Sequence, residues 1–340
     1  KGVCSVSVQI NTNIGFNHGS PYVDSLIWGG SSWSNSTPIN VGFWSGYSDA
    51  YDSPSLTWSA DEMTAFWTAL DNYSAVANIT FNEVTPSESS STSNPTDIIW
   101  YLGTADSFGL GDALGTHETP DGYWASLGFG NWIGGFFNTD FMSWGNLTLG
   151  SHGYITIIHE LGHAMGLSHP HDGGYSEILF PGVSSSGDTG DNALNQGIWT
   201  TLTYNDGWTV EPTSQYDYGW QMTLMAFDIA ALQAIYGANT STNTDNNYYI
   251  LPTINQLGAG WSCIWDAAGI DTISNAGSSQ NSTINLNSAP LVGEYAGGYV
   301  SWVGGITGGF TIANGVVIEN ATGGSGNDII IGNSASNILS

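Results

Sequence analysis

The chain has 340 residues, enough for two domains, and 41% of them are hydrophobic, which excludes a disordered acidic tail. One basic residue, Lys1, stands against 29 acidic ones, a formal charge of −28. That balance excludes a protein that tracks nucleic-acid phosphates with Lys and Arg and argues against docking on anionic lipid; it fits a solvated acidic surface, calcium binding or attraction of cationic substrates.

No Lys/Arg-led signal peptide opens the chain, so Lys1 reads as a mature start with any leader removed. Cys4 and Cys263 are far apart; spacing leaves both a disulfide and two unpaired buried thiols open. The first clear helix begins near Ser59, where Ser59-Ala-Asp-Glu62 reads as a capping box. Met63, Phe66, Trp67, Leu70 and Tyr73 then form the apolar stripe of an amphipathic helix, a packing face. Ile79–Val84 alternates like a strand, Pro86–Pro95 is Ser-rich loop, and Asp97–Leu102 reads as a buried strand. Residues 103–150, rich in Gly and aromatics, predict loops and short strands. A helix is expected from about Gly153 to Leu167 and another from about Thr223 to Tyr236, ending at Gly237. The apolar run Met222–Tyr236 is interrupted by Asp228 and Gln233 and falls short of the ~20 residues of a membrane span.

Beyond Asn239 helical periodicity disappears, and Asn, Ser, Thr and Gly separate short Ile/Val/Leu strands, which places a domain boundary near 240–247. Gly323-Gly324-Ser325-Gly326-Asn327-Asp328-Ile329-Ile330-Ile331 matches the nonapeptide calcium-binding β-roll pattern, and Gly332–Leu339 reads as a degenerate second turn. Stacked turns are needed to bury the apolar face of a roll, so one and a half turns look like a roll cut short.

The chemistry concentrates in His159-Glu-Leu-Gly-His163-Ala-Met-Gly166-Leu-Ser-His169. His159 and His163, four residues apart, lie above one another on one helix face, so both imidazoles can reach one ion. Glu160 is offset to lie alongside the metal, where it can hold and deprotonate the attacking water. Gly166 can break the helix in a conformation closed to other residues, His169 can then swing back as third ligand, and Pro170 prevents the helix resuming. Three neutral imidazoles leave a position open, as catalytic zinc requires. A later Glu as third ligand is the alternative, weakened because Gly166 and His169 already supply the turn and the ligand. His18, His117, His152 and His171 lack comparable spacing and read as surface or packing residues, with His171 close enough to His169 to support it.

This extended motif resembles that of the metzincins, and the segments around it resemble the serralysins, secreted metalloproteases of Gram-negative bacteria. The resemblance covers Ser59–Phe81, Gly153–Pro170, Met225–Asn239, Ile264–Asp271 and Val316–Asp328. It implies an α+β metzincin catalytic domain over 1–240, a twisted mixed sheet with long active-site helices, followed by an all-β calcium-binding β-roll or sandwich domain over 241–340. Serralysins carry a Met beneath the zinc and a zinc-ligating Tyr two residues later. Thr201-Leu202-Thr203-Tyr204 occupies that place, which implies Tyr204 as a further zinc ligand and oxyanion donor, with Leu202 departing from the Met as a volume-conserving swap.

The resemblance also implies structural calcium held by Asn243, Asp245, Asn247, Asp266, Ala268 and Asp271, with Asp245 replacing a family Gly. A second calcium site would use Gly269, Asp271, Val317 and Glu319. Gly324, Gly326 and Asp328 would give half a site whose partner turn lies beyond residue 340. The family's C-terminal export signal is absent, which fits a truncated or self-processed form. Zn2+ and Ca2+, protein or peptide substrates, a secreted monomer, and no nucleic-acid or membrane partner complete the expectation. The rival is a calcium-dependent binding protein with a silent protease domain, which the intact Glu160 argues against. The near-absence of Lys and Arg suggests protection against self-cleavage or trypsin-like enzymes.

Overall fold

The computed structural model describes residues 17–29, 31–89, 94–120, 132–213 and 215–340. Lys1 and Cys4 lie outside them, as do residues 90–93 of the Ser-rich loop and 121–131 of the Gly- and aromatic-rich stretch. A short helix, α1 (Pro21–Ser25), is capped by Ser20, whose hydroxyl accepts from the Val23 N–H. The first sheet then forms from β1 (Ile39–Phe43), β4 (Phe81–Glu83), β5 (Ile98–Gly103), β6 (Gly115–His117) and β7 (Ile133–Asn138). Its order is β4-β1-β5-β7-β6; every pairing is parallel except that of β6, the edge strand, which runs antiparallel to β7. A small antiparallel pair, β2 (Gly46–Ser48) with β3 (Ser53–Ser55), lies beside it.

Alternation along β5 sorts its side chains between two layers. Ile98, Trp100 and Leu102 join the main core, while Ile99 and Tyr101 join a smaller aromatic cluster with Trp132 and Phe136 on the other face. Helix α2 (Ala60–Val76) begins at the expected capping box: the Glu62 N–H donates to Ser59 Oγ and the Ser59 N–H to Glu62 Oε2. Its stripe packs inward through Phe66, Leu70 and Tyr73, with Met63 and Trp67 half-buried against the same core. The Tyr73 hydroxyl donates to the Ile158 carbonyl, fastening α2 to α3 (His152–Ala164), the helix that carries the histidines.

Two helix boundaries differ from expectation. Helix α3 stops at Ala164 rather than near Leu167, because Gly166 adopts a left-handed φ of +88° and the Leu167 N–H folds back onto the Gly162 carbonyl. Helix α4 begins at Ala226, not Thr223, because the buried Asp228 carboxylate accepts the Met225 N–H and fixes the first turn there; it ends at Tyr236.

The remaining strands form two further sheets. One, all parallel, contains β8 (Tyr248–Ile250), β10 (Thr272–Ser274), β14 (Asn320–Thr322) and β16 (Ile338–Leu339). The other contains β9 (Trp261–Ile264), β11 (Ser282–Asn285), β12 (Ser301–Val303), β13 (Gly309–Ile312) and β15 (Ile329–Ile331). Strands β14, β15 and β16 start at residues 320, 329 and 338 and alternate between the sheets, the winding of a roll with nine residues per half-turn. The degenerate half-turn keeps this path: Asn337 Oδ1 accepts the Asn333 N–H as Asp328 Oδ2 accepts that of Gly324. The fold is thus an α+β unit followed by an all-β roll, and one hydrophobic cluster runs through both, joined where Gln221 bridges to Trp261. Cys263, in β9, is buried, and burial pushes its thiol up to about 12. Among the described residues no helix is long and apolar enough to cross a membrane.

Candidate active site

Helix α3 and the turn at Gly166 bring His159, His163 and His169 together. His169 Nε2 lies 3.0 Å from His159 Nε2 and 3.1 Å from His163 Nε2. Each opposite ring nitrogen faces an acceptor: His159 Nδ1 the Thr201 carbonyl at 2.8 Å, His163 Nδ1 the Leu167 carbonyl at 2.9 Å, and His169 Nδ1 the Asp172 carboxylate at 2.5 Å. With Nδ1–H donating outward, three Nε2 lone pairs point at one another, an arrangement that repels unless a cation stands between them. Burial, followed by the neighbouring His169, depresses His159 to about 3 and holds His163 well below its ordinary value, which keeps both neutral and able to ligate. The donor set fits zinc, with the three histidines as its holders. A second grouping of His169, His171 and Asp172 shares one residue with it.

Glu160 follows His159 and is only 6% exposed; its Oε2 has no hydrogen-bond partner among the described residues, and burial raises its carboxyl to about 8. Edge strand β6 passes directly over it. A Cβ on Gly115 would lie 2.9 Å from Glu160 Cγ, so this crossing requires glycine. The Tyr204 ring sits 4.7 Å from that of His169 and 5.8 Å from that of His159, at the open side of the histidines. Leu202 is fully buried beneath the helix, where a Cβ on Gly162 would meet its methyl groups at 3.1–3.2 Å.

The segments proposed for calcium also meet. Asn247 N–H donates to Asp271 Oδ1, Asp271 N–H to Glu319 Oε2, and Ala268 N–H to Asp266 Oδ1. Gly269 lies so close to the Asp245 carbonyl that a Cβ there would be 2.3 Å away, and Asn243 takes a left-handed φ of +50°. Burial, together with mutual repulsion involving Glu319, raises both Asp266 and Asp271, and Asn247 Oδ1 is buried with no partner. Uncompensated carboxylates beside an orphaned amide oxygen fit a hard cation. These acidic groups do not close as tightly as the histidines, so carbonyl and amide oxygens would complete the shell. Val317 is half-exposed at the outer side. Gly324, Gly326 and Asp328 pack against residues 275–282 on one side, and Asp328 is held by donors from Gly324 and Ser282.

Sequence reasoning missed three participants. Asp172 holds His169, and its only signal was a carboxylate one turn beyond the motif. His152, which read as a surface or packing residue, and Gln221, to which the sequence drew no attention, line the cleft beside Glu160. His117, read as a surface or packing residue, is buried, its Nε2 accepting from Trp100 Nε1 and its Nδ1 donating to the Glu118 carbonyl, and it lines a recess shared with Glu160, His163, His169 and Tyr204.

Residues 226–339 match the family model for the Peptidase M10 serralysin C terminal. The chain is 33% identical over 284 residues to a serralysin of Proteus mirabilis, covering 80% of this chain and 54% of that protein. It is 34% identical over 279 residues to serralysin B of Dickeya chrysanthemi, covering 77% and 51%, and 34% over 202 residues to metallopeptidase AprA of Pseudomonas marginalis, covering 56% and 39%. The chain therefore spans about half the length, or less, of these curated relatives. The sheet with its overlying histidine helix, the roll that follows it and these identities agree: the chain is a serralysin-like metzincin.

Proposed function

We propose that the chain is a secreted, zinc-dependent and calcium-stabilised endopeptidase that cleaves internal bonds of proteins and peptides. The observation that carries this reading is the convergence of three imidazole Nε2 atoms with Glu160 beside them in an open cleft. When bound, zinc supplies a Lewis acid that polarises the scissile carbonyl and lowers the pKa of water to ~7.

Glu160 accepts the proton of the attacking water and passes it to the leaving amine; burial raises its basicity enough to hold that proton between the two steps. Burial also keeps the Tyr204 phenol protonated, so that it can donate to the tetrahedral oxyanion. Edge strand β6 offers backbone groups to an extended substrate lying along it. The enzyme would act as a monomer, with the catalytic unit in 1–240 and a calcium-binding unit in 241–340. A casein digest with and without a zinc chelator, alongside Glu160→Ala, tests the reading. Loss of cleavage in both is expected, and activity surviving either overturns it.

A further inference from the structure

The turn that carries His169 presents a further pair of ligand atoms. Pro170-His171-Asp172 follows the third histidine directly, and Gly173 and Gly174, with left-handed φ of +72° and +49°, fold the chain back against the Trp28 carbonyl. The His171 ring stacks on that of His169, 5.0 Å away and inclined by 15°, and lies 5.2 Å from the ring of Tyr204. Packing therefore orients this imidazole in the folded chain. Its Nε2 faces Asp172 Oδ1 at 3.6 Å, too far for a hydrogen bond, and its Nδ1 is buried with no partner among the described residues. The two oxygens of Asp172 are thus divided: Oδ2 takes the His169 Nδ1–H at 2.5 Å, and Oδ1 is left toward His171.

We propose that His171 Nε2 and Asp172 Oδ1 hold a second zinc ion beside the first, filled only when zinc is in excess, and that this ion inhibits cleavage. The inhibition rests on the peptidase reading; the site itself does not. Two ligands about 2.0–2.1 Å from one zinc ion at a tetrahedral angle stand ~3.4 Å apart, close to the separation of this pair. An imidazole with a carboxylate suits zinc, whereas calcium favours oxygen alone. His169, His171 and Asp172 bring ligand atoms within 4.8 Å of one another, but His169 turns its Nε2 to the first centre and gives its Nδ1–H to Asp172. Two protein ligands remain, with water completing the shell, so this site is much weaker than one built from three imidazoles. Side-chain exposures of 19% for His171 and 32% for Asp172 leave it open to ions from solution, and the charge of −28 concentrates cations around the chain. A dication on Oδ1 draws charge from the carboxylate that strengthens His169 as a ligand. It also stands beside Tyr204, which lines one recess with Glu160, His169 and Asp172. Both effects lower activity without displacing the first ion.

The test is zinc bound per chain, by equilibrium dialysis over a buffered range of free zinc, with cleavage of one peptide followed on the same samples. Millimolar calcium is present throughout to occupy sites made of oxygen alone. The parent protein should hold one zinc ion and gain a second at free zinc at least about 100-fold higher, as kcat/KM falls about tenfold. His171→Phe keeps a ring against His169 and removes the ligand; it should hold one zinc ion throughout and stay active in excess zinc, and His171→Leu should do the same. A parent protein that stops at one zinc ion, or variants that still take up the second, overturn the proposal while the peptidase reading stands. Loss of both ions in the two variants also overturns it, because His171 would then belong to the first centre. A second ion without loss of activity, or inhibition that persists in the variants, overturns the inhibitory role. A parent protein that holds no zinc overturns the peptidase reading and this proposal with it.

Discussion

His169 Nδ1 faces Asp172 Oδ2 at 2.5 Å, while the same ring turns its Nε2 toward His159 and His163. The other two histidines are oriented by backbone carbonyls, so His169 alone depends on a side chain. A carboxylate in this position fixes the tautomer and makes the ligating nitrogen more basic. Asp172→Asn should weaken zinc binding about 10- to 100-fold, measured by competition with a chromogenic chelator. Affinity equal to that of the parent protein would remove Asp172 from this role.

The crossing of β6 over Glu160 gives a second test. In Gly115→Ala the new methyl group would lie 2.9 Å from Glu160 Cγ and 3.2 Å from the Phe136 carbonyl. Both the strand and the Glu160 carboxylate must shift, and under the proposed mechanism the displaced general base loses about 10²-fold or more in kcat. Zinc content should stay near one per chain, which separates a moved Glu160 from a damaged metal centre. A variant with parental kcat would show that the cleft tolerates the displacement.

The calcium site proposed around Asp271 predicts that stability depends on calcium. Asp266 and Asp271 are raised by burial and by Glu319, so at neutral pH their ionisation opposes folding until a cation neutralises them. Chelation with EGTA should lower the melting temperature, and calcium at 100 times its dissociation constant should restore about 2.7 kcal/mol. Asp271→Asn, which keeps the acceptor for Asn247 N–H, should lose most of the calcium-dependent part. A melting temperature indifferent to EGTA in the parent protein would refute the assignment.

His117 supplies a pH signature. Burial lowers it from 6.5 to about 4, so between those values the unfolded chain binds the proton and the folded chain does not. Its contribution is present above pH 6.5 and is lost as pH falls toward 4, about 2 kcal/mol between pH 7 and pH 5. Urea midpoints of the parent and of His117→Gln at these two pH values isolate this term from the other histidines. The variant should lose less stability on acidification; parallel losses would mean that His117 does not titrate as argued.

The zinc motif was legible in the sequence because its geometry is local. Helical repeat places His163 over His159, and one glycine with a left-handed φ of +88° turns His169 back, all within eleven consecutive residues. The Ser59–Glu62 capping box and the nine-residue roll repeat were legible for the same reason, since each is a short-range pattern fixed by backbone geometry. Resemblance to a family, not spacing, led to Tyr204 and to the residues proposed for calcium. What only the tertiary structure decided are contacts across long stretches of chain. Gly115 crosses Glu160 from 45 residues upstream, Gln221 faces the cleft from a segment joined to the roll, and Asp112 and Asp206 line the same cleft from distant segments. None of these pairs has a periodicity, because what brings them together is the burial of a shared core, and packing leaves no spacing in the sequence by which to read it.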